Sequence, residues 1–563
     1  MDDLRDALAR LDARLENLER RVSALEGRPQ PAIPSAREAA LPGLATPATQ
    51  AAVLPQTENV FSVAGKAMLG IAGAYVLRAI AESGSFPKLA VVVLALAYAA
   101  MWLVWSARAP AHAPITRVAF AATAALILVP MLGELTLRFQ VLPAFVTAGL
   151  LSAFVLGAFV LAWRGNLASV VWVTAGAAAL TALALMILSR DLAPYIVALL
   201  VMATSSEFAA ATDHWPSLRF LVSPAIDLAV LILVYIHSLP ESSRPGYVAV
   251  STPVLLALPL LLFLIYGASI SYRTAILRRR MTVFEIAQAA VAFLLASLGW
   301  LWFAPGAGRA ALGAFCWLLS AACYAAAITR FDRTAAQRNY QVYAAWAVGL
   351  ALAGSFLVLP PVPRVLFLSV ASITAMLAGV RVGRLTLEFH GLVYLTAAAF
   401  TSSLLVYAAR ALAGTFPTAP GWIVWLVAVC ALLCYAAGGR FPADQWNQRL
   451  LRLLSAVLAV CAVATFLVSG LVWLVAIGMT LGASHVAVIR TLITCALALA
   501  LAFSGSRWHR LELVWTAYGT LAFVTAKLLF EDLPHSHSGA IAVSIFLYAI
   551  ALIAVPRLAR TAR

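Results

Sequence analysis

Long apolar runs separated by short polar loops fill the chain from about residue 61 to its end. Each run is about 20 residues long and continuously apolar, which is the length of a membrane-crossing helix rather than of an alternating barrel strand. The pattern predicts an all-α, polytopic transmembrane helical bundle over residues 61–563. Its eighteen spans are 61–82, 87–107, 116–136, 142–163, 168–189, 192–212, 219–238, 250–272, 281–303, 306–329, 340–360, 364–385, 389–412, 420–439, 453–478, 484–504, 508–530 and 538–556.

Residues 1–26 follow a different rule, with apolar side chains spaced alternately by four and three positions. This heptad pattern predicts a short cytoplasmic coiled coil that joins copies of the chain into a homo-oligomer. The alternative is a single amphipathic helix lying on the membrane or on the protein's own loops. The seam consists of Leu4, Leu8, Leu11, Leu15, Leu18, Val22 and Leu25.

Residues 27–60 have neither long apolar runs nor heptad spacing, and they are rich in proline and alanine. Six prolines fall between positions 29 and 55. Such a composition cannot bury enough apolar surface to fold, so we expect a disordered linker between the coiled coil and the membrane region.

Composition and charge agree with a membrane protein. Hydrophobic residues make up 63% of the chain and charged residues 11%. The net charge of +16 is spread over short loops, which is typical of topology signals and contacts with the lipid bilayer rather than of nucleic-acid binding. The densest signal is the stretch 273–281, which carries Arg273, Arg278, Arg279 and Arg280.

Basic residues alternate between the two sides of the predicted bundle. With the N-terminus in the cytoplasm, the inner loops and the C-terminal tail hold 21 basic residues and the outer loops hold eight. Because basic loops stay on the cytoplasmic side, we expect a protein of the bacterial inner membrane with both termini cytoplasmic. The loops are too short to contain a soluble domain.

Asp227 is the strongest candidate for a functional side chain. It lies near the middle of the span 219–238, shortly after Pro224, which interrupts the local backbone hydrogen bonds. An ionisable group at this depth is costly and points to a proton or ion site. The alternative is a structural aspartate that hydrogen-bonds a serine or threonine of a neighbouring helix.

Other polar side chains carry weaker hypotheses. Glu207, Glu285, Glu388, His390 and Lys527 lie near span ends, where we expect them to reach the membrane interface. Thr401, Ser402 and Ser403 either line a polar path or satisfy carbonyls of their own helix. The last outer loop offers a weak zinc or copper site formed by Glu531, Asp532, His535 and His537, and the alternative is a chance H-x-H pair. Six cysteines lie in apolar spans and are interpreted as packing residues.

Two stretches resemble a bacterial family of predicted multi-pass membrane proteins of unknown function that begin with a heptad segment. They are residues 65–78 with Ser83-Gly84, and residues 526–533 before the final span. The chain departs from that family at its entry to the first span, residues 60–65, and so resembles a divergent member. The resemblance implies an architecture only, because the family has no established activity.

Three functions are compatible with these patterns. The first is transport or flipping of a small solute or lipid, and the alternative is a non-enzymatic scaffold that self-associates through residues 1–26. The third is an enzyme acting on a lipid-linked substrate at the outer face, which we favour least. No nucleotide-binding loop or hydrolase motif is present, and no cofactor is expected.

Overall fold

The computed structural model describes residues 65–560, with gaps at 71, 74, 77–78, 80–86, 111–112, 332–336, 414–420, 439–445 and 479–481. Within these residues every regular element is helical and no strand occurs. The heptad segment, the linker and most of the first predicted span lie outside the described residues, so those predictions stay untested.

From residue 88 onwards the described residues form eighteen α-helices of at least 9 residues, and we number them α1 to α18. They are Lys88–Arg108, Pro114–Gly133, Ala144–Trp163, Ala168–Leu188, Ala193–Ala211, Arg219–Ser238, Thr252–Ser271, Val283–Phe303, Ala307–Ala326, Gln337–Val358, Pro361–Val382, Leu385–Thr401, Leu404–Leu412, Trp422–Gly438, Trp446–Gly478, Ala483–Arg507, Leu511–Lys527 and Ser538–Arg560.

Most of these helices are long and apolar enough to cross a membrane. Fifteen of the described helices qualify individually, and the pair α12 and α13, bent by 66° at the residues between them, is a broken span or a re-entrant loop that brings the count to sixteen if it crosses the membrane once. Helix α14 is apolar but shorter, at 17 residues. The chain is therefore built as an integral multi-pass membrane protein, whereas the count of eighteen spans remains a prediction.

The helices pack through apolar side chains into several clusters. The largest cluster joins α1 to α8, a second joins α10 to α15, and a third joins α15 to α18. Alanine is frequent in all three, because small side chains let helix backbones approach closely where lipid provides no hydrophobic drive for association.

Four helices of the described chain run on into a π turn. These turns are Glu134–Arg138 after α2, Tyr272–Ile276 after α7, Ala327–Phe331 after α9 and Leu528–Asp532 after α17. A π turn holds one more residue than an α turn, so it changes the direction in which the following side chains point, and it is frequent at functional sites.

Candidate functional site

Asp227 lies on α6, eight residues after Arg219 and therefore about 12 Å along the axis from that end of the helix. Its side chain is half-buried, and its Oδ1 atom is inaccessible to solvent and accepts no hydrogen bond from the described residues. Pro224, one turn earlier, removes one backbone donor of the same helix. The alternative hydrogen bond to a serine or threonine does not form at this oxygen.

A polar contact joins α6 to α8 and α5 one turn from Asp227. Ser223 precedes Asp227 by four residues and shares its helix face. The Gln288 side-chain amide donates to the Ser223 hydroxyl at 2.9 Å and to Glu207 Oε1 at 2.8 Å. All three groups are buried. Three helices therefore meet through side-chain hydrogen bonds inside the bundle.

The two glutamates of this region are fully occupied. Glu207 Oε2 accepts a hydrogen bond from the Ser269 hydroxyl at 2.6 Å and lies 3.7 Å from Arg219 Nη1. Glu285 Oε1 binds both Arg219, at 3.0 Å, and Arg273. Its Oε2 accepts the backbone N–H of Thr282 at 2.8 Å, which caps α8. Every carboxylate oxygen of these two residues has a partner.

Three polar atoms in the same region have no hydrogen-bond partner among the described residues: Asp227 Oδ1, Gln288 Oε1 and Arg273 Nε. Tyr266 is completely buried and lies within electrostatic range of both Asp227 and Glu207. Buried polar groups are normally hydrogen-bonded, so a cluster of exceptions needs an explanation such as a site for water, a proton or an ion.

We call this group the Asp227 cluster and define it as Glu207, Arg219, Ser223, Asp227, Tyr266, Ser269, Arg273, Glu285 and Gln288. Its two arginines balance its two glutamates, and Asp227 is the additional acid. Because an unpaired carboxylate costs free energy to bury, binding a proton or a cation at Asp227 would neutralise the cluster. The arrangement suits charge uptake and release.

The loops at this end of the cluster are fastened to each other. Arg279 forms a two-point contact with Asp213, at 2.6 and 2.5 Å, and thereby joins the α5–α6 loop to the α7–α8 loop. Pairing with Arg279 lowers the pKa of Asp213. The Asn339 side chain accepts from Met281 N and donates to Arg279 O, both at 2.8 Å. These contacts hold the basic loop over the cluster.

The four arginines of the basic stretch have different environments. Arg278 and Arg280 are exposed, and Arg279 is half-buried beside Asp213. Arg273 lies in the π turn after α7 and is buried against Glu285. Sequence reasoning treated all four as topology signals, but Arg273 is also part of the Asp227 cluster.

A second group of buried charges lies at α16 and α17, and we call it the Lys527 cluster. Lys527 is buried and its ammonium contacts both oxygens of Asp532 at 2.7 Å, and Thr491 Oγ1 and Ala487 O at 3.2 Å. Arg490 binds Glu531 at 2.8 Å and donates to Ala411 O at 2.7 Å, at the C-terminus of α13. We define the cluster as Lys527, Asp532, Thr491, Arg490 and Glu531.

These contacts bear on the predicted metal site. Glu531 and Asp532 each bind a cationic side chain, and His537 uses its backbone N–H on the Ser484 hydroxyl. The side chain of His535 lies outside the described residues. Among the residues that the structure does describe, no group of three or more His, Cys, Asp or Glu side chains is placed to hold a metal ion. The metal site stays a prediction.

Several ionisable groups expected at the membrane interface are buried instead. Glu207, Glu285, Glu388, His390 and Lys527 each have at most 7% of their surface exposed. His390, for example, is 2.9 Å from the Tyr324 hydroxyl of α9. Position near a span end predicted solvent access, but neighbouring helices cover these ends. The hydrogen-bond partners of Glu207 and His390 lie 62 to 81 residues away in the sequence, so no local pattern predicts these contacts.

The three hydroxyl residues of the predicted polar path lie where α12 breaks. Thr401 donates to Ala397 O and Ser402 to Ala399 O, as expected for hydroxyls that satisfy their own helix. Ser403 adopts a left-handed backbone conformation with φ of 63°. The second interpretation is confirmed for Thr401 and Ser402.

Comparisons with protein-family models, with curated proteins and with solved structures found no match to this chain. Functional inference therefore rests on the geometry of the clusters.

Proposed function

We propose that this multi-pass membrane protein is a transporter that moves a small solute or lipid by coupling it to proton movement at Asp227. The supporting observation is the buried Asp227 oxygen without a partner beside two glutamates that are fully paired. Protonation removes the cost of burying this carboxylate, and ionisation becomes favourable when the site opens to water. Binding and release of the proton would thereby be tied to conformation.

The proposal also includes an orientation. Loops 212–218 and 277–282 lie at one end of the bundle, because Asp213 and Arg279 pair there. Counting basic residues assigns this end to the cytoplasm of a bacterial inner membrane. A reporter fused after Arg280 is expected to give a cytoplasmic signal, and a periplasmic signal would reverse the assignment.

The experiment measures proton flux in liposomes that contain the full-length protein and a trapped pH-sensitive dye. Pools of amino acids, sugars, nucleosides, organic cations and short-chain lipids are added one at a time across an imposed pH gradient. We expect at least one pool to change the flux with the wild type. Asp227→Asn should abolish that change while its thermal unfolding midpoint stays close to that of the wild type, because no partner is lost.

Asp213→Asn is the matched control, since it removes a carboxylate from the loop above the cluster and leaves the cluster itself intact. It is expected to keep the flux. Unaltered flux in Asp227→Asn, or the absence of a response to every pool, would contradict the proposal.

A further inference from the structure

Two helix hairpins of this chain are built alike. The sequence Gly-x-Arg-x-x-Arg-Leu occurs at residues 379–385 between α11 and α12, and again 126 residues further on, at 505–511 between α16 and α17. In both, the N–H of the second arginine donates to the glycine carbonyl at 2.8 Å. The residue before that arginine, Gly383 or His509, has positive φ in both. This is the six-to-one bond of a helix C-cap.

The two glycines are in equally tight places. A Cβ on Gly379 would lie 2.7 Å from the backbone nitrogen of residue 388, and one on Gly505 would lie 3.1 Å from that of residue 514, which is the same position 126 residues later. The second arginine of each motif lies over a tyrosine ring at 5.7 and 5.6 Å. The hairpins therefore repeat in sequence and backbone geometry, and in each an arginine lies over a tyrosine, although Tyr340 and Tyr435 are not at equivalent positions.

The helices that follow the hairpins stay in register to their ends. Helix α12 spans Leu385–Thr401 and α17 spans Leu511–Lys527, so both begin and end 126 residues apart. Both are then interrupted, α12 by its bend and α17 by a π turn. Thr401 and Lys527 are thus equivalent positions, each at a helix break.

The second break is filled by the chain itself. The Lys527 ammonium lies against Ala487 O and Thr491 Oγ1, and Asp532 neutralises it. The side chain is completely buried. Nothing else needs to occupy this place.

The first break opens instead onto a cavity of about 280 Å³. Its lining includes Pro361, Val365 and Thr401, which are the register counterparts of Ala487, Thr491 and Lys527. Ser402, Trp422 and Val424 also line the cavity. The position that holds an ammonium group in the second repeat is therefore a hole in the first.

The chemistry of the hole differs from that of its counterpart. No charged side chain of the described residues lines it, and the polar threonine of the second repeat is replaced by Val365. The hydroxyls of Thr401 and Ser402 already donate to their own helix. Thr401 lies about 24 Å along the axis of α12 from its start, within the thickness of the hydrocarbon layer. An uncharged chain fits this surface and depth.

We propose that the cavity at the α12–α13 break binds an acyl chain of a membrane phospholipid, at the site that Lys527 fills permanently in the second repeat. The assignment rests on the cavity and the repeat rather than on Asp227. A negative proton-flux result would therefore leave it standing, and a positive result would not depend on it.

The test is photolabelling of the full-length protein in liposomes that contain a trace of phosphatidylcholine with a diazirine near the end of one acyl chain. Mass spectrometry then locates the cross-linked peptides. We expect labelling at residues 361–365, 401–402 and 421–424. Val365→Trp fills the cavity and should lower this labelling about tenfold, because the buried methylenes of the chain are displaced.

Leu366→Trp is the matched control, because Leu366 is the next residue of the same helix, is 40% exposed and does not line the cavity. It should keep the labelling. Thr401→Leu is a milder filling variant that is used if Val365→Trp unfolds, and it should lower labelling in the same peptides. Equal labelling in the filling and control variants, or labelling spread evenly over lipid-facing helices, would overturn the proposal.

Discussion

The Asp227 cluster and the Lys527 cluster are both groups of charges inside the bundle, but only the Lys527 cluster has equal numbers of cations and carboxylates. In the Lys527 cluster two cations face two carboxylates, and the ammonium has four contacts within 3.2 Å. In the Asp227 cluster two arginines face three carboxylates, so Asp227 is one acid in excess.

The difference separates a stabilising role from a functional one. A buried ion pair that satisfies itself fixes the geometry of its helices and has little reason to change state. A cluster with one acid in excess has two charge states that differ little in packing but strongly in electrostatics. Burial alone therefore does not identify a functional charge, and the balance of partners is the better criterion.

Removing the shared acid of the Asp227 cluster should have the largest effect on stability. Glu285→Gln leaves Arg219 and Arg273 buried without their common counter-ion. We expect a loss of about 3–5 kcal/mol in the free energy of unfolding. Denaturant titration in detergent micelles measures it, with the exposed Glu241→Gln as control. A loss no larger than that of the control would show that the arginines do not depend on Glu285.

Breaking the Lys527 cluster tests its assignment as structural. Lys527→Met leaves Asp532 buried and unpaired, and we expect it to cost about 3 kcal/mol or somewhat more. Adding Asp532→Leu should recover most of that loss, since an apolar pair of similar volume often replaces a buried ion pair without penalty. The same titration measures both variants. Failure of the double variant to recover would indicate that the charges themselves are needed.

The exposed contact over the Asp227 cluster should give the smallest effect. Since Arg279 lowers the pKa of Asp213 below its ordinary value of 3.8, this pair contributes stability above pH 3.8. That contribution is lost as the pH falls through the lower pKa of the folded state. Cysteine cross-linking or fluorescence distance measurement between the two loops should therefore show no change from pH 8 down to about pH 5. Opening of the loops within that range would contradict the pairing.

The sequence predicted most helices because their apolar runs are long and their boundaries are marked by arginines. It also located Asp227, since a carboxylate in mid-span stands out without knowledge of any partner. The hydrogen bond between Glu207 and Gln288 could not be predicted. The two residues are 81 positions apart, and no local sequence pattern shows which helices are neighbours in the bundle. The sequence does predict which of these residues share a helix face. Ser223 and Asp227 are four residues apart, and Glu285 and Gln288 are three apart, so each pair lies on one face of its helix.

The break of α12 was missed for a different reason. The mostly apolar residues 389–412 predict one continuous span, but Ser403 takes a left-handed conformation where the helix turns by 66°. Apolar composition predicts that a segment lies in the membrane, but it does not predict whether the helix is continuous. The burial of Lys527 could not be predicted either. Its partner Asp532 is only five residues away, but the sequence does not reveal the type of turn that brings the two side chains together.

Each cluster has a charged residue in a π turn. Arg273 of the Asp227 cluster lies in Tyr272–Ile276, and Asp532 of the Lys527 cluster lies in Leu528–Asp532. A π turn contains one residue more than an α turn. Deleting one residue would therefore return the segment to α-helical spacing and rotate the side chains that follow by about 100°. Arg273 would then be directed away from Glu285, although no residue of the cluster had been substituted. At these two points the number of residues matters as much as their identity, because a variant shorter by one would lose an ion pair while keeping both of its charged side chains.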